Sequence, residues 1–462
     1  MDFNSLFFTW AFLPLALGAF YLAKAVSKGN KLAQEIVLFA FSLLFYLFKA
    51  GFMYFGIMIA VSFVHYLFAF LIDRYREKQV AAKVLLGVDI ALSVAMLAFF
   101  KYCGLFDFGK SIAFPLGLSF MTFQTIAFAV DVYRGDLSTK DVDPFRYLLY
   151  IFLFMKVAEG PIMSYKDIRS GQESTDMFFK GMTRFCFGLA KKVLVADVLA
   201  MVVTTINADL SIAGTALSWL SIVCFTFQIL FDFSGYTDMA IGLANMFGYE
   251  LMENFNDPYL SLSIQDFWRR WHMSLGNWFK NYVYIPLGGN RKGLARTILN
   301  LSIIFVLTGV WHGSDVTFVL WGLYYGFFMI MERLFLGKLL QKNPVKIINW
   351  LYAFAVVLFG WVLFCSGSLA NAGYFFRNLF SPQANTSYVT VSGIFTVKVL
   401  IALCSAIIFS LIVPLFTRKH RDAINANGTW ALVKCGIGFV LFVLSVVFIT
   451  NNSFVPSLYG GF

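Results

Sequence analysis

Two neighbouring stretches decide the fold: DPYLSLSIQDFWRRWH at residues 257–272 and RTILNLSIIFVLTGVWHG at 296–313. The second is an apolar run close to the roughly 20 helical residues that cross about 30 Å of hydrocarbon. The first instead mixes aromatic, basic and polar residues. Only four histidines occur in the chain, and two of them, His272 and His312, lie in these stretches. Because a polar group is costly in such membrane-like sequence, both are candidate functional residues.

The apolar character extends over the whole chain of 462 residues. It is 60% hydrophobic and 19% aromatic, and only 13% of its residues are charged, against about 25% in a soluble domain. Apolar runs that could span a membrane lie at 6–23, 33–49, 51–72, 84–103, 111–130, 213–231, 297–311, 315–336, 347–366, 391–415 and 430–450. They lack the alternation of barrel strands. The sequence therefore predicts an all-α polytopic membrane protein with about 11 transmembrane helices.

The middle of the chain departs from a simple series of spans. Residues 131–180 and 231–265 mix short apolar runs with Asp, Asn, Gly and Pro. Polar or non-helical backbone at membrane depth is tolerated only where it lines protein or a water-filled cavity. We therefore expect one integral membrane domain over 1–462, in which ordinary spans surround a core of short re-entrant or tilted helices.

The net charge of +11 has a topological explanation. Many basic residues cluster between spans, at 24–31, 74–83, 269–296, 333–346 and 418–421. The positive-inside rule assigns these clusters to the cytoplasm and predicts an exterior N-terminus. Membrane lipid is thus the expected surrounding, and no nucleic-acid partner is predicted. The six cysteines are scattered singly, which predicts neither a metal site nor a disulfide framework.

Residues 264–280 have the pattern of an amphipathic helix at the cytoplasmic surface. The sequence from Ser263 to Asp266 resembles a capping box, which predicts a helix start there. Helical spacing then aligns Trp268, Trp271, His272, Leu275 and Phe279 on one face. Arg269 and Arg270 fall largely on other faces of this helix. An imidazole suits proton transfer near pH 7, but an interfacial helix with an incidental histidine explains the same pattern.

His312 is expected to lie deep in the bilayer. It follows Arg296 by about 15 residues, which at 1.5 Å each places it roughly 22 Å from the cytoplasmic end of its span. Gly309 and Gly313 flank it, so that backbone or ligand can approach closely. The alternative is a buried structural histidine satisfied by the Thr308 hydroxyl or by a backbone carbonyl.

The other two histidines have no polar constellation near them in the sequence. His65 lies within an apolar span, and His420 lies in a basic segment. We interpret His65 as structural and His420 as part of a cytoplasmic loop.

A series of short motifs extends over most of the chain. They are PLGLSFMTFQ at 115–124, DVYR at 131–134, GPI at 160–162, GLAKKVLVAD at 188–197, FSGYTDMAIG at 233–242, ENFN at 253–256, FWRRWH at 267–272 and WHG at 311–313. In this order they resemble the membrane-bound O-acyltransferases, in the bacterial branch of the alginate O-acetylation protein AlgI and the teichoic-acid D-alanylation protein DltB. The family core would be 111–313. YIPLGGNR at 284–291 is similar to the alginate-acetylation type.

The resemblance implies a helical shell around a thinned core with a tunnel or funnel. An acyl group, most simply acetyl, would pass from a cytoplasmic thioester across the cytoplasmic (inner) membrane of a bacterium to an exported cell-surface polysaccharide. The donor would be acetyl-CoA or an acyl carrier protein thioester, used as a substrate, with no tightly bound cofactor. The partner would be the polysaccharide acceptor or an extracellular or periplasmic SGNH-like acetyltransferase.

The residue pattern and the resemblance together suggest the site residues. His312 and His272 would be catalytic, His312 as the general base and His272 either by orienting the thioester or by stabilising charge on its carbonyl oxygen. Substrate contacts would come from Trp268, Arg269, Arg270, Trp271, Trp311, Asp232 and Asp238. Three alternatives remain open: D-alanyl transfer, a transporter in which buried Asp and His line the pathway, and a non-catalytic scaffold for an extracellular acetyltransferase.

Overall fold

The computed structural model describes residues 1–106, 112–171, 173–387, 389–420, 423 and 428–451. Helices account for most of this part of the chain, and its extended segments form one isolated bridge, between Arg169 and Glu250. The predicted all-α class is therefore confirmed. Residue 111, at the start of a predicted span, and Arg421, in the last basic cluster, lie outside the described residues.

Nine helical segments within the described ranges are long and apolar enough to cross a membrane. They are Phe8–Val26, Lys31–Arg74, Gln79–Leu105, Gly214–Met246, Leu294–His312, Val316–Lys342, Lys346–Cys365, Val397–His420 and Gly428–Asn451. The 44 residues of Lys31–Arg74 extend about 66 Å, twice the hydrocarbon thickness of about 30 Å. Gly51, with φ 77° and ψ 166°, interrupts that helix at the first residue of the second of the two spans predicted there. The chain is a multi-pass membrane protein, as predicted.

The described residues divide into two compact units, of which the first comprises Met1–Leu189 and Tyr236–Met252. Its helices are α1 (Leu13–Val26), α2 (Lys31–Arg74), α3 (Gln79–Tyr102), α4 (Leu118–Arg134), α5 (Pro144–Phe152) and α6 (Thr175–Ala190). Almost every side chain of α4 is buried. The short helix α5 and the turns that follow it agree with the short core elements predicted for residues 131–180.

The second unit comprises Ala190–Gly235 and the described residues from Glu253 onward. Its helices are α7 (Asp197–Asn207), α8 (Gly214–Met246, shared with the first unit), α9 (Ile264–Trp268), α10 (Met273–Phe279), α11 (Leu294–His312), α12 (Val316–Met331), α13 (Gly337–Lys342), α14 (Lys346–Cys365), α15 (Leu369–Phe380), α16 (Val391–Ile394), α17 (Val397–Ile407), α18 (Val413–Thr417) and α19 (Gly428–Asn451). Most of α8 is buried, whereas α19 is mainly exposed. The single domain, its core at 111–313 and the tunnel remain predictions.

Close packing of α11 on α12 sets the position of His312. A Cβ atom added to Gly309 would lie 2.5 Å from the carbonyl oxygen of Phe318, and one on Gly322 would lie 2.3 Å from that of Phe305. Small residues permit this approach of two membrane helices. The close approach predicted at Gly309 is thus confirmed, and it is made by the backbone of α12.

We expect Gly309→Ala to destabilise the protein, because the added methyl group cannot fit without moving α12. Overpacking of this kind costs about 1–3 kcal/mol, and the melting temperature in detergent should fall accordingly. Gly436→Ala in α19 is the matched control, since a Cβ there meets nothing within 4 Å. Equal melting temperatures for the two variants would contradict the close approach.

A buried histidine site in the second unit

Residues 264–280 form two short helices, and the single continuous helix predicted there is wrong. α9 begins as predicted, because the Ser263 hydroxyl accepts a hydrogen bond from the Asp266 amide at 3.0 Å. The break comes at His272, which has φ 45° and ψ 53°, a left-handed conformation uncommon outside glycine. The segment pairs there with residues 254–256: the Met273 amide donates to the Asn254 carbonyl, and the Asn256 amide donates to the Arg270 carbonyl, both at 3.0 Å. Tertiary pairing therefore overrides the local helical periodicity.

Asn254 fixes the proton on the His272 ring. Its side-chain oxygen accepts from the Ser274 amide at 3.2 Å and from the Ser274 hydroxyl at 2.9 Å. The same oxygen lies 3.1 Å from His272 Nδ1. Because an oxygen that accepts from a backbone amide is an acceptor, Nδ1 carries the proton and donates. In the neutral ring, Nε2 is then the basic nitrogen.

His272 is buried, with 3% of its surface exposed. Burial lowers its pKa to about 3, because the charged imidazolium loses its hydration. The ring is therefore neutral at physiological pH. It meets the Phe233 ring edge-on, with centroids 4.8 Å apart, and its centroid is 6.4 Å from that of Trp311.

His312 is the last residue of α11 and is equally buried, at 3% exposure. Rings from α11, α12 and α14 surround it. The centroid distances to His312 are 4.6 Å for Trp311, 4.9 Å for Trp321, 5.1 Å for Phe364 and 6.3 Å for Phe318. The Thr308 hydroxyl, the alternative partner considered from the sequence, donates to the Ile304 carbonyl at 2.7 Å. Trp311 thus contacts both histidine rings, and the structure brings the two candidates into one aromatic cluster.

Trp268 and Trp271 belong to the same cluster. The Trp268 ring lies 5.7 Å from Trp321 and 4.9 Å from Tyr325, and the Trp271 ring lies 4.9 Å from Trp361. The sequence did not single out Trp321, Tyr325, Trp361 or Phe364 as site residues. In a chain that is 19% aromatic, no individual aromatic residue stands out by pattern, and these come from helices distant in sequence.

The two arginines beside α9 differ in their surroundings. Arg270 donates from Nε to Asp266 at 2.9 Å and from Nη1 to the Asn256 carbonyl at 3.2 Å. It therefore helps to hold the turn that carries His272. Arg269 is exposed and remains the better candidate for contact with an external ligand.

Both predicted aspartates form ion pairs. Asp232 Oδ1 lies 2.6 Å from Lys192 Nζ in the second unit. Asp238 Oδ1 lies 2.7 Å from Arg184 Nη2 in the first unit. Their assignment as substrate contacts stays a prediction.

His65, interpreted from the sequence as a structural residue, does have a polar partner in the fold, so the expectation that no polar group lies near it is wrong. His65 Nδ1 on α2 lies 2.5 Å from Asp89 Oδ1 on α3, and both residues are buried. The partner is 24 residues away in sequence and meets His65 only because α2 and α3 pack together. His65 is therefore a buried polar link between two helices.

A family model identifies the chain. The model for the membrane-bound O-acyltransferase family matches residues 134–376, a segment that contains both histidines and most of the surrounding rings. The chain belongs to the membrane-bound O-acyltransferase family. The predicted family and the predicted O-acyltransferase activity are confirmed.

Curated relatives of this membrane-bound O-acyltransferase come from bacteria. "Probable alginate O-acetylase AlgI" of Pseudomonas putida is 33% identical over 99% of both chains. The peptidoglycan O-acetyltransferase of Helicobacter pylori is 32% identical over 80% of this chain and 78% of its own. The teichoic acid D-alanyltransferase of Bacillus subtilis is 30% identical over 54% of this chain and 68% of its own.

Proposed function

We propose that this membrane-bound O-acyltransferase moves an acetyl group from a cytoplasmic thioester to an exported cell-surface polysaccharide, in the cytoplasmic membrane of a bacterium. The observation that carries the proposal is the pair of buried histidines, His272 and His312, whose rings both neighbour that of Trp311. The full-length similarity to the alginate O-acetylase supports a polysaccharide acceptor. The peptidoglycan O-acetyltransferase relative supports the same chemistry on a different cell-wall glycan.

His312 is the general base in this proposal. It takes the proton from the acceptor hydroxyl while that oxygen attacks the thioester carbonyl. A carbon–oxygen bond forms, the carbon–sulfur bond breaks, and the thiolate leaves with a proton returned from the imidazolium. The aromatic rings around His312 exclude water, which limits hydrolysis of the thioester.

His272 orients the substrates. Its neutral ring donates from Nδ1 to Asn254, so that Nε2 can accept a hydrogen bond from a donor N–H or an acceptor O–H. This tautomer has no second N–H with which to stabilise negative charge on a carbonyl oxygen. Between the two roles considered from the sequence, orientation of the thioester therefore fits the hydrogen bonds better than stabilisation of the oxyanion.

The donor binds beside α9 through exposed basic residues. Arg269, Lys280, Arg291 and Lys292 are exposed in this part of the chain. The phosphates of acetyl-CoA or the acidic surface of an acyl carrier protein would be attracted there. The competing explanation is that these residues only set membrane topology.

We expect Arg269→Glu to weaken donor binding, whereas a charge reversal far along the chain should not. Arg269 is chosen over Arg270 because Arg270 supports the turn at His272. Lys342→Glu, at an exposed residue at the end of α13, is the matched control. Donor binding by the unmodified protein should also fall with ionic strength, because salt screens exposed charges over about 10 Å at 0.1 M. If the unmodified protein, Arg269→Glu and Lys342→Glu all bind the donor equally and independently of salt, these basic residues only set the membrane topology.

The whole proposal is tested with purified protein in vesicles that contain an acceptor glycan. Labelled acetyl-CoA, an acetylated carrier protein and a D-alanylated carrier protein are supplied in parallel. Transfer of acetyl supports the proposal, and transfer of D-alanine alone favours the teichoic acid type of reaction. Passage of intact donor without transfer would indicate a transporter. Transfer that occurs only after an SGNH-like acetyltransferase is added, and that persists in His312→Ala, would indicate a scaffold.

A further inference from the structure

Lys192, Asp197 and Asp232 form a buried ion triad. Asp232 directly precedes Phe233, whose ring packs against His272. Lys192 is in the helical turn Lys191–Ala196 before α7. Its Nζ atom is 2.6 Å from Asp197 Oδ1 and 2.6 Å from Asp232 Oδ1 on α8. Exposure is 4% for Lys192, 7% for Asp197 and 1% for Asp232.

Burying these groups is costly. Burial raises the pKa of the Asp197 carboxyl to about 7, because its charged form loses hydration. Well-packed apolar residues of similar volume often stabilise a protein as well as a buried ion pair does. An ionisable cluster retained in the interior of a membrane protein is therefore a candidate for a specific role.

Phe233 connects the triad to the site. It follows Asp232 on α8, and its ring meets the His272 ring edge-on at 4.8 Å. The same ring lies 5.2 Å from Phe255, edge-on at 80°. Phe255 is the neighbour of Asn254, which holds His272 Nδ1. One aromatic side chain thus supports both the imidazole and the segment that orients it.

We propose that Lys192 is a positioning residue for acyl transfer: by holding Asp232 it fixes Phe233 against His272 and the Asn254 segment. This inference rests on the proposed role of His272. Lys192 itself does not touch the reacting atoms. Its loss leaves two buried carboxylates without their shared cation, so that this part of α8 shifts and the imidazole loses its alignment.

Transfer kinetics of Lys192→Met test the inference. We expect roughly a tenfold lower kcat/KM for the donor, since a displacement of about 1 Å can cost up to a hundredfold in rate. Because Lys192 acts through His272, adding Lys192→Met to His272→Asn should produce little further loss. Phe233→Leu leaves the triad intact, and combining it with His272→Asn should likewise produce little further loss. It replaces Lys192→Met in the test if that variant does not fold.

Asp89→Asn is the matched control, because it weakens another buried ionisable pair, in the first unit. In the double variant Asp89→Asn/His272→Asn, the fold-loss in kcat/KM should equal the product of the losses in the two single variants. Losses from Lys192→Met and Phe233→Leu that also multiply with His272→Asn would overturn the inference, as would a normal kcat/KM in Lys192→Met.

A second readout does not need activity. Amide hydrogen exchange in residues 253–273 should accelerate in Lys192→Met and not in Asp89→Asn. If the unmodified protein transfers no acyl group, the proposed function fails, and exchange alone then decides whether Lys192 supports this segment. If amide exchange in residues 253–273 is unchanged in Lys192→Met, the inference that Lys192 supports this segment is overturned.

Discussion

His312→Ala should transfer acyl groups at least about a hundredfold more slowly than the unmodified protein, the usual scale for a positioned general base. Without the imidazole, the attacking hydroxyl loses the base that takes its proton in this proposal. Single-turnover transfer of labelled acetyl from preloaded donor measures this step directly. Donor affinity should change less than the rate, because the base acts mainly in the transition state.

His420→Ala is the matched control for His312→Ala. His420 is an exposed histidine after α18, and its loss should leave transfer unchanged. Both variants should show the melting temperature of a folded protein, since replacing His312 removes a ring from a cluster that keeps its tryptophans. A folded His312→Ala protein with near-normal transfer would exclude His312 as the base.

The helices were predictable because the membrane leaves few alternatives. A backbone in hydrocarbon must satisfy its own hydrogen bonds, so long apolar runs become helices whatever their partners. The turn at His272 was not predictable in this way. Residues 264–280 keep helical periodicity, but pairing with Asn254 and Asn256 breaks the helix. A pattern of neighbouring residues cannot reveal a hydrogen bond to a segment about 18 residues away in the chain.

The site was predictable where a residue type was rare. Histidines number four in the chain, so His272 and His312 could be singled out as polar groups in apolar sequence. Lys192 lies in the motif at 188–197 and Asp232 was predicted as a substrate contact, yet their pairing depends on how α8 packs beside the turn before α7. Aromatic residues are common here, and only the structure shows which of them enclose His312.

The His272→Asn variant should lose roughly tenfold or more in kcat/KM for the donor, with KM raised as well as kcat lowered. The reason is that an orienting group acts on the bound substrate as well as on the transition state. Asparagine is chosen because it tolerates the left-handed backbone at this position. Alanine lacks this tolerance, and a residue with a Cβ costs about 1–2 kcal/mol in the left-handed conformation, so a melting temperature that is lower for His272→Ala than for His272→Asn reports stability and not function.

The pH dependence separates orientation from proton transfer at His272. With its pKa lowered to about 3 by burial, the ring is already neutral above that pH and does not titrate between pH 5 and 8. The unmodified protein and His272→Asn should therefore show rate profiles of the same shape over this range, displaced only in magnitude. An inflection between pH 5 and 8 that disappears in His272→Asn would mean that His272 exchanges a proton during turnover. A normal kcat/KM in the folded asparagine variant would instead leave His272 as a structural residue of the turn.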